Sequence, residues 1–312
     1  MTKIKLTKTK MTKLERREHY SAIGFISIKY LGFAIFTLIP IFFVFMFSFT
    51  KYNPIIHTGP FLSDFGNIFV GFDQYEKLFT HEVYAPIFRE AFFNTVFLLL
   101  SVPLGIIGSL FIATLLCNQL VNAKIAKVMR SSIYLPVVAS AVAMSIIWRY
   151  IFDNDFGLLN MLLGTDDLYW LSDPWLIKIA IVFKNTLLSF GGGMILFSAT
   201  IMGIAPDYYE VADLCGATGW QKFKHVTLPF CTPVIFYLSI TGIIGHLQSY
   251  VDAEIFAQGQ AGARTIVYLI WTYGIKNSNY GLASAASVIL FLIILGLTLI
   301  QFKLSKNWVF EG

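Results

Sequence analysis

Polar side chains that recur at helical spacing inside apolar runs are the residues of this sequence best equipped for chemistry. Asn185, Ser189 and Gly192 stand at i, i+4 and i+7 of one apolar run, and Gly242, His246 and Ser249 have the same spacing in another. Each set therefore falls on one face of a helix. Amide, imidazole and hydroxyl groups on such faces can exchange several hydrogen bonds with a polar solute. Tyr250 and Trp148 can add an aromatic surface beside them. Ser, Gly and Asn also pack helices closely and bond from helix to helix inside membranes, so both uses stay open at each position.

Other chemistries lack their parts. The five histidines, His19, His57, His81, His225 and His246, include no two spaced to share a helix face. Cys117, Cys215 and Cys231 are scattered without metal-ligand spacing, and three is the wrong number for a disulfide framework. They read as free thiols. No catalytic residue and no metal ligand is assigned. The sequence has no Gly-x-x-x-x-Gly-Lys-Ser/Thr loop, so the chain itself is expected to bind neither ATP nor another cofactor.

The elements that must carry the polar faces are membrane helices. Of the 312 residues, 56% are hydrophobic and 13% charged, with a mean hydropathy of +0.69. A soluble domain carries roughly 25% charged residues, and a soluble core of this length does not hide so much apolar surface. Runs of about 20 apolar residues, long enough to cross some 30 Å of hydrocarbon, fall at 23–49, 91–117, 132–152, 176–204, 231–250 and 282–302. The fold class is thus all-α transmembrane with about six spans. Pro40, Pro103 and Pro136 lie inside spans, where neighbouring helices re-satisfy freed carbonyls.

Charge orients the spans. Lys3, Lys5, Lys8, Lys10, Lys13, Arg16, Arg17, Lys124, Lys127, Arg130, Lys222, Lys224, Lys303 and Lys306 gather on one side, and Lys51, Lys77, Arg89, Arg264 and Lys276 on the other. Basic residues favour the cytoplasm, so both termini are expected there, in a multi-pass cell-membrane protein. Acidic residues collect on the opposite side: Asp64, Asp73, Glu76, Glu82, Glu90, Asp153, Asp155, Asp166, Asp167 and Asp173. The first apolar run is too long for a signal peptide and lacks a small-residue cleavage site. Lys178, Lys184 and Arg149 sit toward span ends, where snorkelling or interfacial anchoring accounts for them.

The division expected is a cytoplasmic tail at 1–22, a first span at 23–49, an outer loop at 50–90, a five-helix core at 91–304 and a tail at 305–312. The outer segment 251–281 carries an apolar stretch, 265–275, that is too short to span. It is read as re-entrant or interfacial, with Trp271 and Tyr273 near the headgroups. The inner loop 205–230 reads as a helix capped by Asp207 with Glu210 in its first turn. A sharp turn at Gly216 and Gly219 follows, then a second helix over 220–227 that ends before Pro229. Val211, Leu214, Trp220 and Phe223 would be exposed there, an apolar surface for another protein.

This loop resembles the EAA motif of binding-protein-dependent ABC importers, the pattern Glu-Ala-Ala, three residues, Gly, nine residues, Ile, any residue, Leu-Pro. Here it runs Glu210-Val211-Ala212, Gly216-Ala217, then Val226-Thr227-Leu228-Pro229. Val211 replaces Ala, Val226 replaces Ile, and Cys215 stands where carbohydrate members usually carry Asp. The resemblance extends to the maltose and glycerol-phosphate permeases through Phe69–Tyr75, Phe93-Asn94-Thr95, Phe156–Asn160, Tyr280–Ala285 and the ending Lys306-Asn307-Trp308-Val309. The segment around Gln258-Gly259-Gln260 lacks the family's Thr-Gly-Gly-Gly-Pro.

The resemblance implies a type I permease core that forms half of a sugar pathway. It implies a second permease subunit as heterodimer partner and an extracytoplasmic solute-binding protein. It also implies an ATPase dimer that holds ATP and Mg and receives the loop Glu210 to Pro229. Counted from Glu210 and Pro229, the two polar faces coincide with the family's sugar-contacting positions. A glycerol-phosphate permease would ask for clustered cations at those faces. An ion-coupled secondary transporter would ask for mid-span carboxylates and inverted repeats, and the six spans contain neither Asp nor Glu. Nothing points to a nucleic-acid partner.

Overall fold

The computed structural model describes residues 13–57, 59, 61–118, 121–165 and 168–310. The basic positions Lys3 to Lys10 and the pair Asp166–Asp167 lie outside them, as do the side chains of Lys13, Arg16, Arg17 and Asp64. Among the described residues the chain is helical apart from turns and one isolated β-bridge, Thr50 to Phe69. Five helices are long and apolar enough to cross a membrane: His19–Ser48, Tyr84–Leu116, Leu176–Gly203, Gly219–Leu247 and Tyr280–Ser305. The broken pair Ala123–Val138 and Ala141–Ile151, bent by 102°, makes a sixth when it is counted as one span.

That bend corrects the straight third span expected at 132–152. Pro136 lacks the amide that would continue the ladder, and Ala139 and Ser140 are extended, with ψ of 150° and 136°. Proline marks a local irregularity in three other spans. Pro40 follows a π-helical turn at Ala34–Leu38, Pro229 follows another at Phe223–Thr227, and Pro103 follows the turn at Leu99–Leu100. In each case the backbone near the position four residues before the proline leaves regular helical geometry.

The helices at Leu176–Gly203 and Ser101–Leu116 make the tightest packing in the molecule. Small residues face each other across it: a Cβ on Gly105 would collide with the Ser189 hydroxyl, and one on Gly193 would lie 2.7 Å from Cβ of Ser109. Such contacts replace the hydrophobic driving force that lipid cannot supply. The helix that carries the second apolar run begins at Tyr84. The chain before it holds two short helices, Phe61–Ile68 and Asp73–Thr80.

The segment 265–275 packs against protein. Ile266 and Leu269 are buried, and Tyr273 is 5% exposed within the cluster formed by Leu78, Phe88, Leu282 and Ala286. The helix Ile266–Trp271 packs on the last span, with its Thr265 hydroxyl accepting from the Tyr268 amide as a cap. Its apolar residues cover protein.

Candidate functional site

Two regions carry the predicted site residues. The first is a cavity of about 410 Å³ at the end of the bundle away from the 205–230 loop. Asn185 and Lys184 reach it from the fourth span, Gly242 and His246 from the fifth, and Ser249, Tyr250 and Asp252 from the chain just beyond. A second cavity of about 220 Å³ lies nearby, shares Gly242 and His246 in its wall, and is lined by Ser189. The two polar faces thus line neighbouring cavities.

An ion pair organises the first cavity. Lys184 and Asp252 are 2% and 6% exposed and form a salt bridge. The Asp252 carboxylate also accepts from Asn185 Nδ2 at 2.8 Å and from Ser249 Oγ at 3.0 Å. Lys184 donates to Ser145 Oγ at 3.3 Å and lies 5.3 Å from the Phe256 ring centroid. One lysine therefore joins the fourth span, the second half of the bent third span, and the turn after the fifth.

His246 is fixed from another side. Ser101 Oγ gives its proton to the Leu98 carbonyl at 2.6 Å and lies 3.0 Å from His246 Nε2. The serine therefore receives the Nε2 proton, which leaves Nδ1 of a neutral imidazole as an acceptor. Tyr250 packs against Trp271 with centroids 5.3 Å apart, so it does offer a ring at the cavity wall.

Gly192 lines neither cavity and faces open space, with nothing within 4 Å of where a Cβ would stand. The close approaches on its helix are made by Gly191, against the Ile133 carbonyl, and by Gly193. Trp148 turns away from the cavities into a cluster with Phe152 and Phe183. Lys184 does not snorkel, because a carboxylate holds it inside. Lys178 does not either: it is 7% exposed, 4.5 Å from the Trp175 ring centroid and 5.1 Å from that of Phe93. Asp252 was missed because it lies past the last apolar residue of its span. The signal was Lys184, a cation well inside an apolar run with an amide next to it.

The second region is the 205–230 loop. Pro206–Leu214 forms its first helix, ended by Gly216 at φ +70°. The Ala217 amide donates to the Ala212 carbonyl and the Gly216 amide to the Asp213 carbonyl, both at 2.9 Å. This is a Schellman ending, which needs a left-handed residue where Gly216 stands. Thr218 and Gln221 then form a reciprocal capping box. Two ties brace the arms: the Asp213–Lys222 ion pair and a 3.0 Å hydrogen bond between the Tyr209 and Thr227 hydroxyls.

The loop's tip is open. Glu210 and Val211 are exposed, Leu214 is 89% exposed and Trp220 69%. Ala212 and Ala217 are half-buried at the turn, and Val226, Leu228 and Pro229 are half-buried where the loop rejoins the bundle. Phe223, expected at the surface, is half-buried and stacks on Trp220 at 5.3 Å. Asp207 does not cap the helix; it lies in the first turn behind Pro206, where its charge still suits the helix dipole. Gly219 is a first helical residue and not part of the turn. No break occurs at Pro229: Gly219 to Leu247 is one continuous helix.

Residues 79–308 match the family described as binding-protein-dependent transport system inner membrane component. The chain belongs to this family. It is 32% identical over 309 residues to the probable ABC transporter permease protein YesP of Bacillus subtilis (strain 168), covering 94% of this chain and 93% of that one. It is 30% identical to the lactose transport system permease protein LacF of Rhizobium radiobacter, over 71% of this chain and 77% of LacF. In three dimensions it resembles a chain of a bacterial alginate ABC transporter solved in complex with alginate pentasaccharide-bound periplasmic protein. The TM-score is 0.77 at 23% identity, over 95% of this chain and 97% of that one, which shows the ABC importer permease fold. The chain is thus an inner membrane transport component and not an enzyme.

Proposed function

We propose that this chain is one of two permease subunits of an ATP-driven importer of oligosaccharides. In this reading the second permease closes the other side of the path through Asn185, His246 and Ser249. A separate ATPase dimer holds ATP and Mg, and an extracytoplasmic binding protein delivers the solute. Both termini and the 205–230 loop then lie in the cytoplasm.

The observation that carries the reading is the braced loop with its open tip. Two ties and a left-handed glycine hold Glu210, Val211, Leu214 and Trp220 away from the bundle. An apolar tip with a charged rim, rigid on a membrane bundle, suits a protein cleft that pulls on it. Two observations support the sugar class: the lactose named for LacF, and a cavity whose hydrogen-bonding groups suit hydroxyls. A glycerol-phosphate reading asks for a free cation, whereas Lys184 is engaged by Asp252.

A pull-down of the chain in gentle detergent, with mass spectrometry of its partners, tests the assembly. The expected result is a second permease, a P-loop ATPase and an exported binding protein. Recovery of a lone homo-oligomer would overturn it in favour of an ion-coupled carrier.

A further inference from the structure

The hydrogen bonds around Asp252 decide what the cavity presents to a solute. Lys184 is the one lysine or arginine lining it among the described residues, and its ammonium is spent on Asp252, Ser145 and the Phe256 ring. Asp252 is saturated in turn by Lys184, Asn185 and Ser249. Asn185 spends one N–H on the carboxylate, which leaves its Oδ1 as an acceptor and its second N–H as a donor. Ser249 gives away its only proton, which leaves oxygen lone pairs. His246 offers Nδ1 by the same reasoning. Neutral donors and acceptors thus border an ion pair whose two charges cancel.

Hydroxyl groups can donate to all of these acceptors. A carboxylate or phosphate solute meets no uncommitted cation; only neutral donors, the Ser145 and Tyr250 hydroxyls and the Asn185 and Gln248 amides, face its charge, and much of its desolvation cost goes uncompensated. We infer that Asp252 sets the charge selectivity of the path: by holding Lys184 it makes the site one for uncharged polyols and closes it to uronates. Asp252 is a positioning residue here, acting through Lys184, Asn185 and Ser249. The inference rests on the importer reading for what passes through the cavity, but its electrostatic core concerns this chain's own residues.

The test uses the complete importer, purified with its partner subunits, and two kinds of probe. D-Galacturonate is the anionic probe, and a panel of neutral di- and trisaccharides supplies the uncharged ones. Binding is read by thermal shift and tryptophan fluorescence. Asp252→Asn leaves Lys184 without its counter-charge, so galacturonate should bind roughly tenfold or more tighter than to wild type. The gain should vanish in Lys184→Met/Asp252→Asn and in the charge swap Lys184→Asp/Asp252→Lys.

No gain in Asp252→Asn, or an equal gain without Lys184, overturns the inference. If Asp252→Asn does not assemble, the wild-type protein decides alone, because galacturonate binding as tight as that of the best neutral sugar overturns it. Wild type that binds no neutral sugar counts against the oligosaccharide reading, while the lysine-dependent gain still reports on Asp252.

Discussion

The ammonium of Lys184 meets the carboxylate of Asp252 across 68 residues of sequence, with side-chain exposures of 3% and 9%. Burying two charges costs several kcal/mol per ion before their attraction is counted. Such a pair adds little net stability over apolar residues of similar volume, but either half left alone is a buried unpaired charge. Its position explains its presence better than its energy does, because it draws Ser145, Asn185 and Ser249 to one point.

Lys184→Met should therefore lower the stability of the purified complex by about 3–5 kcal/mol, read by thermal unfolding. Lys184→Met/Asp252→Leu should recover most of that loss. Additive losses in the double variant would mean that the two charges do not depend on each other.

Asn185→Ala/His246→Ala removes an amide and an imidazole from the cavity wall without touching the 205–230 loop. The expected outcome is a substrate affinity reduced about tenfold, the size of one to two hydrogen bonds, with unchanged recovery of the ATPase in a pull-down. Lost assembly would instead assign the two residues to helix packing.

Much of this was legible from residue type and spacing. Hydropathy located the crossings because a bilayer demands long apolar runs, and the fourth span begins at Leu176 as expected. Gly216 could be placed at a turn because a left-handed residue selects glycine. What escaped depends on distant partners. Nothing near Lys184 announces Asp252, so solvent looked like its natural destination. Trp148 has the right type, but its packing on Phe152 and Phe183 is set by tertiary contacts that spacing does not show. The continuous helix through Pro229 was hidden because a π-helical turn absorbs what proline usually interrupts.

Gly193→Leu should destabilise the bundle whatever the transported solute. Even a Cβ at 193 would meet Cβ of Ser109 at 2.7 Å, so the second and fourth spans must separate. Overpacking of this kind costs about 1–3 kcal/mol or more. The expected result is a lower melting temperature and less assembled complex, with Gly192→Leu far milder because the space around Gly192 is open.

Asp173 gives the start of the fourth span a pH-dependent anchor. Its carboxylate accepts from the amides of Leu176 at 2.9 Å and Trp175 at 2.8 Å. These bonds hold its pKa below the ordinary 3.8. A depressed folded pKa contributes stability that is present above 3.8 and lost as the pH falls through the folded value. Asp173→Ala should therefore melt earlier than wild type at pH 6, and the gap should close toward pH 3. A gap independent of pH would rule out the charge as its source.

The 205–230 loop offers the sharpest separation of folding from the proposed function. Gly216 sits at φ +70° with open space around it, so a side chain there meets backbone strain and no steric wall. A β-branched residue in that conformation costs roughly 1–2 kcal/mol, which the loop can relieve by leaving the Schellman turn. Doing so breaks the Ala217–Ala212 hydrogen bond and frees the Asp213–Lys222 tie. The crossings do not depend on either contact. Gly216→Val should thus insert and pair with the second permease normally while uptake falls at least tenfold. ATP hydrolysis by the partner should no longer respond to solute. Glu210→Ala removes an exposed carboxylate with no strain at all, and should uncouple in the same way through lost polar contacts in the cleft. Full transport by Gly216→Val would mean that the loop's shape is not what the ATPase reads.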